Sequence, residues 1–533
     1  MINIEKLQQA INLSQSGKLN EAESLYKQLL EENPNEYILL SAVGLYYVNV
    51  HNYDSAIKYL KMACDIKQTL GTVSALGIAQ NKKGDYENSV RTLEHALTLG
   101  ENVDIYDTLI HSLLELKYYQ KAETYTDKMI ELYPENPKAI ANKVKLLTKY
   151  GKLIEAEQKC VEYLKKDQNE PALWYHLGLL KELIYSDDKS AIECYKISGE
   201  QGNLNANYNI AVAYQKLGEY TQAEKYYKKY LRQIPDSEAG IVSLGMCYLT
   251  QKKFKEGYEL LYKRQKEGIV TKTNNLWKEG NSLDKDLILL CDQGYGDHIQ
   301  FMRYIPFLSG HNIKVAGWKQ LKSLFTKTYP NIEYINLDEI NPDTQAIRIT
   351  DLAYVLNMDF DNIPFAEGYI NFEPADIKNK KLKVGLCWEA GAAGARGMIN
   401  RSIFVRCFEP LFNLKNIQLY SFQVTDTFDG NKIYADKMIN LAKDFKDFSD
   451  TAKALKSMDI VVSVDTCVAH LAGALGVKTC LLLPYAPDWR WFGGKYNSEI
   501  DTPWYKSVEI FKQDNPVSWE KQINNIIEKH LSV

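Results

Sequence analysis

A period of roughly 34 residues, kept eight times in succession, is the strongest constraint this sequence places on its fold. Aligned on a (Gly/x)-x-(Tyr/Leu)-x-x-Ala pattern, the chain carries a small pivot residue at Ala22, Ala56, Ser89, Ala122, Ala156, Ala191, Ala223 and Gly257, with spacings of 34, 33, 33, 34, 35, 32 and 34. Five residues before each pivot stands a turn position: Gly17, His51, Gly84, Lys117, Gly151, Ser186, Gly218 and Lys252. A unit of this length holds two helices and the turn between them. One such hairpin cannot bury its own apolar face, so eight must stack and share a continuous core.

The first helix of each unit carries a small residue where Gly44, Gly77, Gly178, Ala211 and Gly245 stand, and the second ends near a proline at Pro34, Pro134 or Pro235. With these features the first half resembles the tetratricopeptide repeat (TPR) family. The resemblance implies an all-α superhelix over 1–267, with a concave groove for a protein or peptide partner and no reaction chemistry of its own. Its tyrosine pairs, such as Tyr46 with Tyr47 and Tyr226 with Tyr227, sit at helical spacing and read as packing. A spacer or a dimerisation arm is the plainer alternative, so an oligomer stays open.

Beyond a polar, aperiodic linker at 268–284 the pattern changes. Short apolar runs at 287–291, 313–316, 384–388, 418–422, 460–464 and 479–483 alternate with amphipathic segments, as a parallel-sheet α/β fold requires. A charged connector at 372–383 divides the region into two halves, 285–375 and 376–533, with a cleft between them. The formal charge of -4 and pI near 6.2 supply no general attraction for nucleic acid. Nine cysteines without a CxxC pair point to a reducing compartment. The first twenty residues interrupt their apolar positions with polar ones, and no later stretch has the length of a membrane span. A cytoplasmic protein with no membrane span is the expectation.

Three segments carry chemistry. The first, Cys291-Asp292-Gln293-Gly294-Tyr295-Gly296-Asp297-His298, leaves a strand through two glycines, Gly294 and Gly296, and enters a helix predicted over 299–308. Asp297 is either a general base for an acceptor hydroxyl or a cap on that helix. In the second, a glycine-rich loop after strand 384–388 carries Arg396 and Arg401. Their donor forks suit a diphosphate, unless the loop is simply an exposed connection. The third delivers Asp465, Thr466, Cys467 and His470 from strand 460–464 into a helix at 469–475, followed by an aromatic loop with Trp489 and Trp491. Polar groups at the carboxyl end of a parallel strand, beside a helix start, are where α/β sheets hold anionic ligands. The two tryptophans read equally as stacking platforms for a base or sugar and as an interior plug.

Together, SVDTCVAHLAGALG with LLLPYAPDWRWF, DQGYGDHIQFMRYIP and VGLCWEAGAAGARGMINRSI resemble the heptosyltransferase-like nucleotide-sugar transferases of GT-B fold, which have two Rossmann-like halves, and especially their TPR-bearing bacterial relatives. The layout is also similar to that of protein O-GlcNAc transferases and flagellin glycosyltransferases. The resemblance implies an inverting, metal-independent glycosyltransferase that passes a sugar from a nucleotide-sugar to Ser or Thr of a protein brought in by the repeats. It places Asp297 as the base and Gly294, Gly296, Arg396, Arg401, Asp465, Thr466, Cys467 and His470 around the donor, with no cofactor beyond that donor. Cys467 stands where the family has glycine. Two DxD strings, Asp284-Lys285-Asp286 and Asp359-Phe360-Asp361, lack the fold pattern of a metal site. The alternatives are a scaffold whose transferase-like domain is inactive, and a transferase acting on a lipid or saccharide.

Overall fold

The computed structural model describes residues 3–264, 272–358, 363–391, 401–427, 429–495, 497–499 and 501–532. The chain divides into two compact units, Met1–Ala206 and Asn207–Val533.

The first unit is built of helical hairpins, running from helix Ile4–Gln15 to helix Asp188–Glu200. All eight predicted turn positions along the chain have φ between 51° and 85°, the left-handed conformation that ends one helix and redirects the chain into the next. The pivots Ala22, Ala56, Ala122, Ala156 and Ala191 are fully buried. Where the pivot is Ser89, its buried hydroxyl donates to the Gly77 carbonyl at 2.8 Å and accepts from Ser112 Oγ at 3.0 Å, which in turn accepts from Asn81 Nδ2 at 2.8 Å. A polar pivot is thus tolerated because its hydrogen bonds are satisfied. A Cβ at Gly77 would stand 2.5 Å from Leu93 Cδ2, so the two helices of that hairpin meet at a distance that admits no side chain.

The second unit opens with two more hairpins, ending in helices Glu238–Thr250 and Phe254–Tyr262. Two parallel sheets follow. The first contains β1 (Asp286–Leu290), β2 (Asn312–Ala316), β3 (Glu333–Ile335) and β4 (Gln345–Arg348) in the order β3-β2-β1-β4. The second contains β5 (Leu382–Cys387), β6 (Ile417–Ser421), β7 (Met438–Asn440), β8 (Ile460–Val464), β9 (Thr479–Leu483) and β10 (Val508–Lys512) in the order β10-β9-β8-β5-β6-β7. Counted from β5, this is the 3-2-1-4-5-6 arrangement of doubly wound α/β sheets, and the order reverses between β5 and β8. In the first sheet it reverses between β1 and β4. Crevices for ligands open at the carboxyl ends of the strands flanking such reversals. β8 and β9 are buried along their whole length, as expected for strands covered on both faces.

The sequence pattern changes at residue 268, yet packing divides the chain some sixty residues earlier, because the last hairpins are built into the α/β core. Phe254 meets Phe492 edge-on at 6.0 Å and Tyr258 meets Trp489 at 6.2 Å. Arg264 reaches the reversal of the first sheet, bonding Asp292 at 2.9 Å after β1, and Thr350 at 2.8 Å and Asp351 at 3.2 Å after β4. From the other side Arg348 holds Asp351 at 2.5 Å and donates to the Tyr262 carbonyl at 2.6 Å. Two cations and two carboxylates are buried together here, so each charge has its partner.

Candidate functional site

The helix that follows β1 spans Tyr295–Phe301 and begins four residues earlier than predicted, with Gly294 as its N-cap. Asp297 sits in its first turn and reaches back, accepting from the Gly294 N–H at 3.2 Å. Gly296 precedes it on the same turn. A Cβ there would lie 2.9 Å from His470 Cδ2, so this glycine marks the crossing of the 295–301 helix over the helix Cys467–Ala474 that follows β8.

At the end of β8, Thr466 caps the 467–474 helix, its hydroxyl accepting from the Val468 N–H at 3.2 Å. Asp465, only 3% exposed, pairs with Arg401 Nη1 at 3.2 Å and lies 3.9 Å from His470 Nε2. Burial raises its carboxyl above the usual range against the pull of Arg401. His470 is enclosed: its Nδ1 meets the Tyr505 hydroxyl at 3.1 Å and its ring stacks on Trp491 at 5.3 Å. Burial, reinforced by the nearby Arg490 charge, lowers its pKa to about 3. The imidazole is therefore neutral at physiological pH. Burial pushes the Cys467 thiol up to about 12, which keeps it protonated at neutral pH.

The loop after β5 is closed at its base by Ile403 N–H on the Trp388 carbonyl at 2.9 Å and by Ala390 N–H on Ser402 Oγ at 3.0 Å. Gln423 Oε1 accepts from both the Trp388 and Glu389 N–H groups, at 3.1 and 2.9 Å. These anchors place Arg401 beside Asp465 at the β5/β8 reversal. Arg396 lies outside the described residues, as does the Asp359-Phe360-Asp361 string. Asp284 precedes β1 and Asp286 begins it, at the amino end of the strand and so away from this site.

One residue that joins the two sides, within the aromatic loop, was not among the site residues predicted from the sequence. Arg490, on the loop after β9, bonds Asp297 through Nη2, Asp488 through Nη1 at 2.7 Å and Gln300 Oε1 through Nε at 3.0 Å. Its guanidinium lies 4.5 Å from the centre of the Trp489 ring. Burial opposes ionisation of Asp488, but the Arg490 charge and hydrogen bonds outweigh it and hold that carboxyl below the usual range. Asp488, Arg490, Gln300 and Tyr505 are all additions to the predicted set. The signal was the Asp-x-Arg pair within an otherwise aromatic loop.

The carboxyl ends of β1, β5, β8 and β9 thus bring Asp297, Arg401, Asp465, Thr466, His470, Asp488 and Arg490 into one cluster, with three carboxylates and two guanidiniums. Of the two readings of Trp489 and Trp491, ligand platform or interior plug, their packing is that of a plug. Trp491 is fully buried against His470 and Trp489 is 3% exposed beneath Arg490, so neither offers a free face.

Family models described as tetratricopeptide repeat match residues 7–69 and 204–237. Protein FlbA of Caulobacter vibrioides is 22% identical over 90% of this chain and 87% of its own length. The human protein O-mannosyl-transferase TMTC3 is also 22% identical, over 44% of this chain and 28% of that protein. Among solved structures, yeast Tom70 aligns with a TM-score of 0.39 at 17% identity, over 46% of this chain and 54% of that one. The chain carries tetratricopeptide repeats followed by an α/β region, with distant similarity to a glycosyltransferase. No helix among the described residues is long and apolar enough to cross a membrane.

Proposed function

We propose that the chain is an inverting, metal-independent glycosyltransferase of GT-B type that moves a sugar from a nucleotide-sugar to a Ser or Thr hydroxyl of a protein, with the repeats capturing that protein. The observation that carries this reading is the convergence, at the β5/β8 reversal, of Arg401, Arg490 and the capped start of the 467–474 helix opposite Asp297, which comes from the other sheet. In the reaction, negative charge grows on the departing diphosphate. Fixed guanidinium groups and backbone N–H groups aimed at that charge lower the barrier without reorganising, usually the largest single contribution to catalysis. Asp297 takes the proton of the acceptor hydroxyl as it attacks the anomeric carbon, and the carbon–oxygen bond to the diphosphate breaks on the opposite side. Asp465 orients Arg401, and neutral His470 with Trp491 supports the helix start from behind.

The inactive-scaffold reading is favoured by one observation: Asp297 is hydrogen-bonded and ion-paired, as a purely structural carboxylate would be. The two part on one experiment. A panel of UDP-, GDP-, ADP- and CMP-sugars is screened for a rise in melting temperature, since a ligand that binds only the folded state raises it, and the donor so found is followed for turnover with Asp297→Asn alongside. Donor binding in both proteins with turnover in the native one alone supports the transferase. Absence of any shift in folded protein removes it.

A further inference from the structure

Each nitrogen of the Arg490 guanidinium donates to a protein acceptor: Nη1 to Asp488, Nε to Gln300 Oε1 and Nη2 to Asp297. Asp297 is equally committed, with one oxygen on the Gly294 N–H and the other on Arg490. A general base must offer an oxygen to the hydroxyl it deprotonates, within hydrogen-bond reach. In the resting arrangement each oxygen of Asp297 already accepts one hydrogen bond, one of them from a cation, so an incoming hydroxyl must share an oxygen with a donor already in place. A contact that links the two sheets therefore also competes with the acceptor hydroxyl for the group that the proposed chemistry needs.

Two features mark this contact as exchangeable. The Arg490 and Asp297 side chains keep 18% and 20% exposure, whereas Asp465 and His470 beside them keep 3% and 5%. Arg490 also retains Asp488, Gln300 and the Trp489 ring when Nη2 lets go, so it is held in place while one edge changes partner. The surroundings favour a ligand made only of acceptors. The buried amide nitrogen of Gln300 lacks a partner among the described residues, and the guanidiniums of Arg401 and Arg490 are both partly exposed here, at 32% and 18%. Phosphate oxygens accept without donating, and they match the planar guanidinium fork in two-point contact.

The geometry points to Arg490 as a donor-sensing switch: the diphosphate of the nucleotide-sugar takes the guanidinium edge that Asp297 occupies in the empty site, and the carboxylate so released becomes the base. This rests on the transferase reading above. It makes activation of the acceptor conditional on a bound donor, because only an anion competes with Asp297 for that edge.

The test is calorimetric titration of the full-length protein with UDP, GDP and ADP in turn, on the native chain and on Asp297→Asn, Arg490→Gln and the double variant. With the ion pair gone, Asp297→Asn binds the preferred nucleotide about tenfold tighter, within the range of typical coupling energies. Arg490→Gln binds it about tenfold weaker, and adding Asp297→Asn to Arg490→Gln restores nothing. If Arg490→Gln does not fold, Arg490→Lys replaces it, since one ammonium cannot serve Asp488, Gln300 and Asp297 together. The gain from Asp297→Asn then shrinks to less than about twofold, set against the coupling range above. Equal affinity of the native chain and Asp297→Asn, or a gain that persists without Arg490, overturns the switch while leaving nucleotide binding and the transferase reading in place. No binding of any nucleotide by folded native protein overturns both.

Discussion

Replacing Arg264 with Met removes a guanidinium while keeping most of the side-chain length, and it tests whether the last repeat hairpin is a structural part of the α/β unit. Arg264 is 14% exposed and faces Asp292, 7% exposed, and Asp351, 5% exposed. Taking one partner out of a buried ion pair costs about 3–5 kcal/mol, because the charge left behind is neither solvated nor compensated. Arg348 still holds Asp351 at 2.5 Å, so the expected loss lies at the lower end, about 3 kcal/mol. Burial already keeps the Asp351 carboxyl above its usual range against the pull of Arg264 and Arg348, and losing Arg264 raises it further. In the variant the folded state then binds more protons than the unfolded state in mild acid. Stability therefore gains as the pH falls, and the penalty at pH 5 is smaller than at pH 7. Urea unfolding followed by tryptophan fluorescence reads the right unit, since of eight tryptophans only Trp174 precedes residue 207. A loss under about 1 kcal/mol at pH 7 is the size expected of an exposed pair; such a loss, or a penalty that does not shrink by pH 5, refutes the reasoning.

Three further outcomes follow from the packing. Deleting residues 1–206 should leave a soluble fragment with the native tryptophan spectrum, whereas deleting 1–265 removes Phe254, Tyr258 and Arg264 and should give an aggregating one; gel filtration separates the two. Gly296→Ala should destabilise the second unit by about 1–3 kcal/mol in the same urea assay, the usual cost of overpacking, because the new methyl meets the His470 ring at 2.9 Å. Because His470 has its pKa lowered to about 3 in the folded chain, the unfolded state binds its proton first as the pH drops below the ordinary histidine value. Stability should fall by roughly 2–3 kcal/mol between pH 6.5 and 4.5 on its account, and His470→Gln should remove that part of the slope.

The helical array was legible because its determinants are local: a left-handed residue and a small pivot at fixed spacing need no knowledge of the rest of the chain. Strands β8 and β9 were placed to the residue, since strands covered on both faces read as unbroken apolar runs. β3 and β7, three residues each, and β10, with Glu509 and Lys512 inside it, gave no such run. Asp465 and Thr466 were found because strand, turn and helix follow one another in the chain. Arg490 was not, because its partners Asp297 and Gln300 lie 193 and 190 residues away and only the folded sheets bring them together. Gly296, expected beside the donor, also stands where two helices cross, a contact that depends on what stands opposite it.

Four of the eight joints in the helical array carry His51, Lys117, Ser186 and Lys252 instead of glycine, at φ values of 60°, 60°, 51° and 64°. A non-glycine residue held there costs roughly 1–2 kcal/mol, so what the array preserves is an angle rather than an amino acid. This allows wide drift at the joints, while the five residues from joint to pivot, the same in all eight units, admit no insertion without displacing the pivot from its partner helix. Such a chain changes length by whole hairpins, and the reach of its binding surface grows or shrinks in steps of one repeat without disturbing the hairpins welded to the α/β unit.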